Sequence, residues 1–141
     1  MKLAEETEKI STIRNILIED GRIKFAYLFG SQAEKKNAPL SDTDIAVYLD
    51  VRIDYFAYRL KLMETLAKKL KEENFDLIVL NTAPTLLKYE VIKSNYVLKD
   101  DTRRRISFEI KVLQEYLDTS YLRQTQHQIM QEKIRKEEYF G

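Results

Sequence analysis

The sequence predicts an α/β fold in which helices pack against one small sheet. Three observations carry this expectation. Apolar residues recur at helical spacing over residues 3–19, over 54–72 and from Asp101 onward. Short runs rich in aliphatic and aromatic residues stand between them: IKFAYLF, DTDIAVYL and FDLIVL. Strand-like runs alternate with helix-like ones, the pattern of a layer of helices on a sheet.

The elements follow in chain order. Residues 3–19 read as an amphipathic helix carrying Ile10, Ile13, Ile16 and Leu17, and Asp20-Gly21 stops it. Ile23 to Phe29 reads as a strand that breaks at Gly30-Ser31. A short helical turn through Lys36 and a loop with Asn37 and Pro39 follow. Asp42 to Leu49 reads as a second strand, nearly all apolar in its second half, as a buried strand is. Residues 54–72 read as a helix whose apolar stripe is Phe56, Leu60, Met63, Ala67 and Leu70. Phe75 to Leu80 is the third strand, ended by Asn81-Thr82. Thr82 or Thr85 is expected to cap a helix reaching Ser94, with Pro84 near its first turn. Tyr96 to Leu98 reads as a short edge strand.

From Asp101 the chain reads as helix to near its end. Ile106, Ile110, Leu113 and Leu117 form one stripe, and Phe108 and Val112 lie on another face. One side is expected on the sheet; the other is a candidate partner surface, with full burial as the alternative. Residues 121–141 are polar and sparsely apolar, an arm that orders on a partner or a frayed tail. The expected division is a core domain over 1–100 and a C-terminal helical extension over 101–141 that packs on the core and on a partner.

Composition narrows the class. The 141 residues suit one domain. With no cysteine, disulfides and cysteine metal sites are excluded. No apolar run approaches the roughly 20 residues of a membrane span, and MKLAEETEKI lacks the apolar core of a signal peptide. A cytoplasmic location without membrane association is expected. The 24 basic and 23 acidic residues leave a net charge of +1, so no stable nucleic-acid binding is expected.

Chemistry concentrates at three strand ends. Gly30 lets the backbone turn sharply and approach a ligand. Ser31 adds a hydroxyl and a backbone N–H at the start of a helical turn, an anion site that suits a triphosphate. Asp42 and Asp44 are two apart on a strand, so both carboxylates share a face and repel unless a cation lies between them. Hard oxygen ligands favour Mg²⁺. Asp76 opens the third strand. If that strand neighbours the second, three carboxylates converge in the layout for two metals about 3.5–4 Å apart. Singly, a Gly-Ser is commonly only a turn and an Asp-x-Asp only the start of a strand. Jointly, three strand ends carry the parts of one site.

The pattern Gly30-Ser31-x10-Asp42-x-Asp44 resembles the signature of the DNA polymerase β-like nucleotidyltransferase superfamily. The resemblance implies a small mixed sheet packed with helices. It also implies that Asp42 and Asp44 hold two Mg²⁺ ions, that Asp76 completes the catalytic metal's shell, and that Gly30 and Ser31 hold phosphates of ATP. The segment from Arg104 to Glu109, running on to Gln114–Asp118, is similar to the C-terminal helix of the minimal nucleotidyltransferase antitoxins, the MntA-like, type VII group paired with HEPN-domain RNase toxins. That resemblance implies a protein adenylyltransferase acting on a tyrosine of a HEPN partner. Many relatives carry a basic residue directly after the serine and another two positions on. Here those places hold Gln32 and Glu34, so either Lys35 or Lys36 supplies the phosphate contact or ATP is held weakly. The alternatives are a binding-only antitoxin and an aminoglycoside-type small-molecule transferase, for which the roughly 40 residues after Asp100 look too few.

Other residues carry less. His127, the single histidine, is expected at the surface without a role. Tyr27 and Tyr48 are expected in the core; Tyr55, Tyr58, Tyr89 and Tyr96 are expected to be partly buried or to edge the pocket. Arg103-Arg104-Arg105 is expected either to meet a partner or to pair with Asp100 and Asp101.

Overall fold

A computed structural model describes residues 2–30, 43–72 and 74–140. The element order is α1 (Lys2–Glu19), β1 (Ile23–Phe29), β2 (Thr43–Leu49), α2 (Tyr55–Leu70), β3 (Phe75–Val79), a 3₁₀ turn (Leu80–Thr82), α3 (Thr85–Ser94), β4 (Val97–Lys99) and α4 (Thr102–Phe140). The described strands form one mixed sheet in the order β3-β2-β1-β4. β1 pairs antiparallel with β2 and with β4, whereas β2 and β3 are parallel. The parallel pair needs a crossover, and α2 provides it.

The two faces of the sheet bury different residues. Ile45, Val47, Leu49, Leu77 and Val79 point to the face covered by α1 and α2, where they meet Ile13, Leu17, Leu62 and Leu66. Phe25, Tyr27, Phe29 and Ala46 point to the other face, against Leu80, Val91 and Phe108. The Phe25 and Tyr48 rings stack at 4.7 Å, and Phe108 of α4 closes on both at 5.4 Å. Tyr27 is therefore core as expected, while Tyr48 is half-buried.

Three expectations are corrected. The α2 stripe is rotated: Tyr58, Leu62 and Leu66 are buried, Met63, Ala67 and Leu70 of the expected stripe pack partly against the core, and Phe56 and Leu60 are 69% and 50% exposed. Both stripes have helical spacing, and the buried tyrosine's hydroxyl finds Asp20 beyond α1. Neither Thr82 nor Thr85 caps α3. Pro84 occupies the cap position with no side-chain bond, and Thr85 donates to Glu115 of α4 instead. The third strand ends at Val79, and Leu80 enters the 3₁₀ turn. Beyond Asp101 the chain is helical as expected, in one continuous helix of 39 residues. The helical turn expected over 31–36 lies outside the described residues.

On α4 the Val112 face packs inward, and Ile106, Ile110, Leu113 and Leu117 remain exposed. The inward face wins because aromatic residues wait on the sheet and because Tyr116 stacks on Tyr89 of α3 at 3.8 Å. Arg105 reaches Asp100 at 2.7 Å and Glu109 at 3.1 Å; Arg104 reaches Asp101 at 3.4 Å. The arginine run thus pairs internally at two of its three residues. His127 lies on the exposed outer part of α4, beside Gln131.

Two phenols are held away from water by carboxylates. Tyr27 donates to Glu109 at 2.6 Å, and Tyr58 donates to Asp20. Burial first, and then the neighbouring carboxylate, pushes both well above the usual phenol range. A group whose folded pKa is raised adds stability below its unfolded value, and that stability is lost as pH climbs through the folded value. An ultraviolet titration is therefore expected to show two of the nine tyrosines ionising late, with unfolding, and stability falling above about pH 10.

Candidate nucleotidyl-transfer site

Among the described residues, one end of the sheet brings together Gly30, Asp44 and Asp76 of the expected set. β1 ends at Phe29, whose register partner on β2 is Asp44, and Asp44 is in turn the partner of Asp76 on β3. Side chains alternate along a strand. Asp44 and Asp76 therefore lie on the face of Ala46 and Ile78, not on the closed aliphatic face. Asp44 is half-buried and Asp76 is exposed. Both are carried by strands with buried neighbours on each side, so their separation is set by the sheet.

Gly30 follows β1 directly with φ of +78°, the left-handed region in which glycine alone is unstrained. The room a side chain would take there belongs to Asp44. A Cβ on Gly30 would fall 3.2 Å from Asp44 Cγ and overlap Asp44 Oδ2. The glycine is needed for two reasons at once, the turn and the close approach of a carboxylate.

These residues fit the group that the sequence pattern implies. Asp44 and Asp76 offer hard, anionic oxygens to one region, a donor set suited to Mg²⁺ and unsuited to a soft metal. Among the described residues no group of three or more histidine, cysteine or carboxylate side chains gathers. Asp42, the remaining expected ligand, lies outside the described residues. So do Ser31, Lys35 and Lys36, together with Gln32 and Glu34.

Two features of the site escaped sequence reasoning. Arg59 of α2 crosses to the outer edge of β3, donating from Nε to Leu77 O at 2.7 Å, with Nη2 3.5 Å from Asp76 Oδ1. An arginine on a helix surface carries no signature in sequence. A groove of about 460 Å³ also opens beside Asp76, lined by Tyr55, Phe56, Arg59, Pro84 and Leu87. The exposure of Phe56, unexpected for the stripe, places an aromatic wall on that groove.

A sheet end that sets two carboxylates in register beside a left-handed glycine suits a hard cation and the close approach of a ligand. Residues 11–104 match the family described as "Polymerase beta, Nucleotidyltransferase", so the chain belongs to that family. Within it, the fold is that of the MntA-like minimal nucleotidyltransferases. A toxin–antitoxin crystal structure with AMP-PNP superposes with a TM-score of 0.68 at 28% identity, covering 82% of this chain and 93% of that one. The toxin–antitoxin MntA-HepT gives 0.62 at 27%, covering 87% and 93%. A re-refined structure of a tri-AMPylated Shewanella oneidensis HEPN toxin in complex with an MNT antitoxin gives 0.61 at 27%, covering 89% and 94%. No curated protein matches by sequence. No helix among the described residues is long and apolar enough to cross a membrane.

Proposed function

We propose that this protein is an antitoxin that works as a protein adenylyltransferase, moving AMP from ATP to a tyrosine of a HEPN-domain RNase toxin. The observation that carries the reading is the register of Asp44 with Asp76 beside Gly30. The likeness to an antitoxin solved with a tri-AMPylated HEPN toxin supports the acceptor class.

Asp42, Asp44 and Asp76 would hold two Mg²⁺ ions, which when bound polarise phosphate oxygens and neutralise the charge of the leaving group. The protein's own residues do the rest. Gly30 and Ser31 would hold the β- and γ-phosphates, and Lys35 or Lys36 would add charge there. Asp76 takes the proton of the acceptor phenol. The phenolic oxygen bonds to the α-phosphorus, the bond from that phosphorus to the β-bridging oxygen breaks, and pyrophosphate leaves.

The exposed stripe of α4, Ile106, Ile110, Leu113 and Leu117, is the proposed seat of the toxin. Spacings of four, three and four residues match the seam of a helix that packs on a helix. Leu113→Lys is expected to weaken toxin binding at least tenfold by calorimetry while ATP-analogue binding is kept, since burying a lysine on that seam leaves its charge unpaired.

The deciding experiment is intact-mass spectrometry of the co-expressed toxin, with wild-type antitoxin and with Asp42→Ala/Asp44→Ala. AMP-sized additions present only with the wild type support the transferase. Neutralisation without any addition leaves a binding-only antitoxin, the reading that Gln32 and Glu34 would favour.

A further inference from the structure

β3 ends the sheet, so one side of its backbone has no neighbouring strand among the described residues. Side chains close both polar groups of Leu77. Arg59 Nε donates to Leu77 O at 2.7 Å, and Leu77 N–H donates to Asp76 Oδ1 at 2.9 Å. Arg59 Nη2 stands 3.5 Å from the same Oδ1. One carboxylate oxygen thus faces a peptide N–H and a guanidinium, whereas Oδ2 accepts no hydrogen bond among the described residues.

We propose that Arg59 is a positioning residue for Asp76: it ties Oδ1 to the strand edge and so presents Oδ2 to the metal and to the acceptor hydroxyl. The inference rests on reading Asp76 as the third carboxylate of the site. An exposed aspartate otherwise turns freely, because its terminal torsion is broad and two-fold. Rotation about that torsion carries both oxygens away from the position that a metal requires. Fixing the carboxylate beforehand removes that loss from the binding step.

The chemistry calls for arginine. Its rigid planar fork sends Nε to a carbonyl and Nη2 to a carboxylate from one side chain, which the single ammonium of lysine cannot do in two directions. The guanidinium also offsets the repulsion between Asp44 and Asp76, which share a face on neighbouring strands. Arg59 lies in the wall of the groove whose end is Asp76, so an acceptor entering there meets Oδ2 with the other oxygen already engaged.

The test uses Mn²⁺ as the probe, its free fraction read by electron paramagnetic resonance in the presence of AMP-PNP. Arg59→Ala is expected to weaken Mn²⁺ binding about tenfold and Arg59→Lys to restore part of it, the scale seen when a group orienting a metal ligand is removed. In an Asp76→Asn background Arg59→Ala is expected to change Mn²⁺ binding less than twofold. In transfer assays kcat falls about 30-fold while the KM for ATP stays within twofold, a loss confined to the reacting geometry.

Arg59→Ala with Mn²⁺ affinity and kcat within twofold of wild type, whatever its melting temperature, overturns the proposal and leaves Arg59 as a cap on the strand edge. Equal weakening in the Asp76 and Asp76→Asn backgrounds overturns it too, because Arg59 would then act through another group. A wild-type protein that takes up no Mn²⁺ with the nucleotide sinks the reading of the site itself, and this inference with it.

Discussion

Asp44→Asn is expected to give a folded protein that no longer transfers nucleotide. The substitution keeps the shape of the side chain, so Asp44 can lose its charge while the backbone of β2 stays paired with Phe29 on one side and Asp76 on the other. What disappears is an anionic oxygen in the set proposed to hold the metals. An amide oxygen is a weaker ligand for a hard cation, and its NH₂ group is no ligand at all. Electrostatic contributions of this kind are worth several kcal/mol, so transfer should fall on the order of 10³-fold or more. Two measurements test this together. The toxin's mass should show no AMP addition over the time in which wild type completes the reaction, and the melting temperature should stay within about 4 °C, less than roughly 1 kcal/mol for a domain of this size. Activity within tenfold of wild type would remove Asp44 from the metal set.

The places of Gly30, Asp44 and Asp76 were legible because they stand where strands begin and end. Gly30 punctuates β1, and Asp76 follows the first residue of β3. Breaks in a short apolar run are the signals that sequence carries best. The neighbours of each strand were not legible. Nothing local to FDLIV says that it lies parallel to β2, and only that pairing brings Asp76 beside Asp44. The choice of buried face on α2 was hidden for a related reason. Tyr58, Leu62 and Leu66 compete with Phe56 and Leu60 at the same period, while Met63 packs at the boundary of the two faces. The buried tyrosine's hydroxyl is satisfied by Asp20, 38 residues earlier, a partner that no local signal announces. Arg59 belongs with these long-range effects. Its meaning lies in the Leu77 carbonyl and the Asp76 carboxylate, which it meets only once β3 is in place.

The asymmetry of the sheet explains why the polar residues are tolerated where they are. The α1–α2 face is closed by aliphatic side chains, and a charge there would go unpaired. Asp44 and Asp76 project from the opposite face, which is built around Phe25, Tyr27 and Phe108. The same strands thus carry a closed core on one side and an open carboxylate pair on the other. A one-residue slip of β3 against β2 would send Asp76 into the aliphatic core, so burial of Phe75, Leu77 and Val79 fixes the register of the site.

Gly30→Ala should damage the site far more than a single methyl group usually does. Two penalties coincide at this position. A φ of +78° costs a residue bearing a Cβ about 1–2 kcal/mol. The new carbon would also overlap Asp44 Oδ2, so either the turn opens or the carboxylate rotates away. Each response moves a proposed metal ligand by a distance comparable with the roughly 1 Å misplacement that costs about 10²-fold in rate. The core is untouched, because Gly30 lies beyond the last buried residue of β1. The expected outcome is therefore transfer reduced about 10²-fold or more, Mn²⁺ binding with AMP-PNP weakened in parallel, and a melting temperature only a few degrees lower. Gly21 supplies the control, since a Cβ there would meet nothing within 4 Å and its φ is not in the left-handed region. Gly21→Ala should leave transfer and metal binding unchanged. Equal effects of the two substitutions would mean that Gly30 serves only the turn, and would separate the left-handed glycine from the chemistry at Asp44.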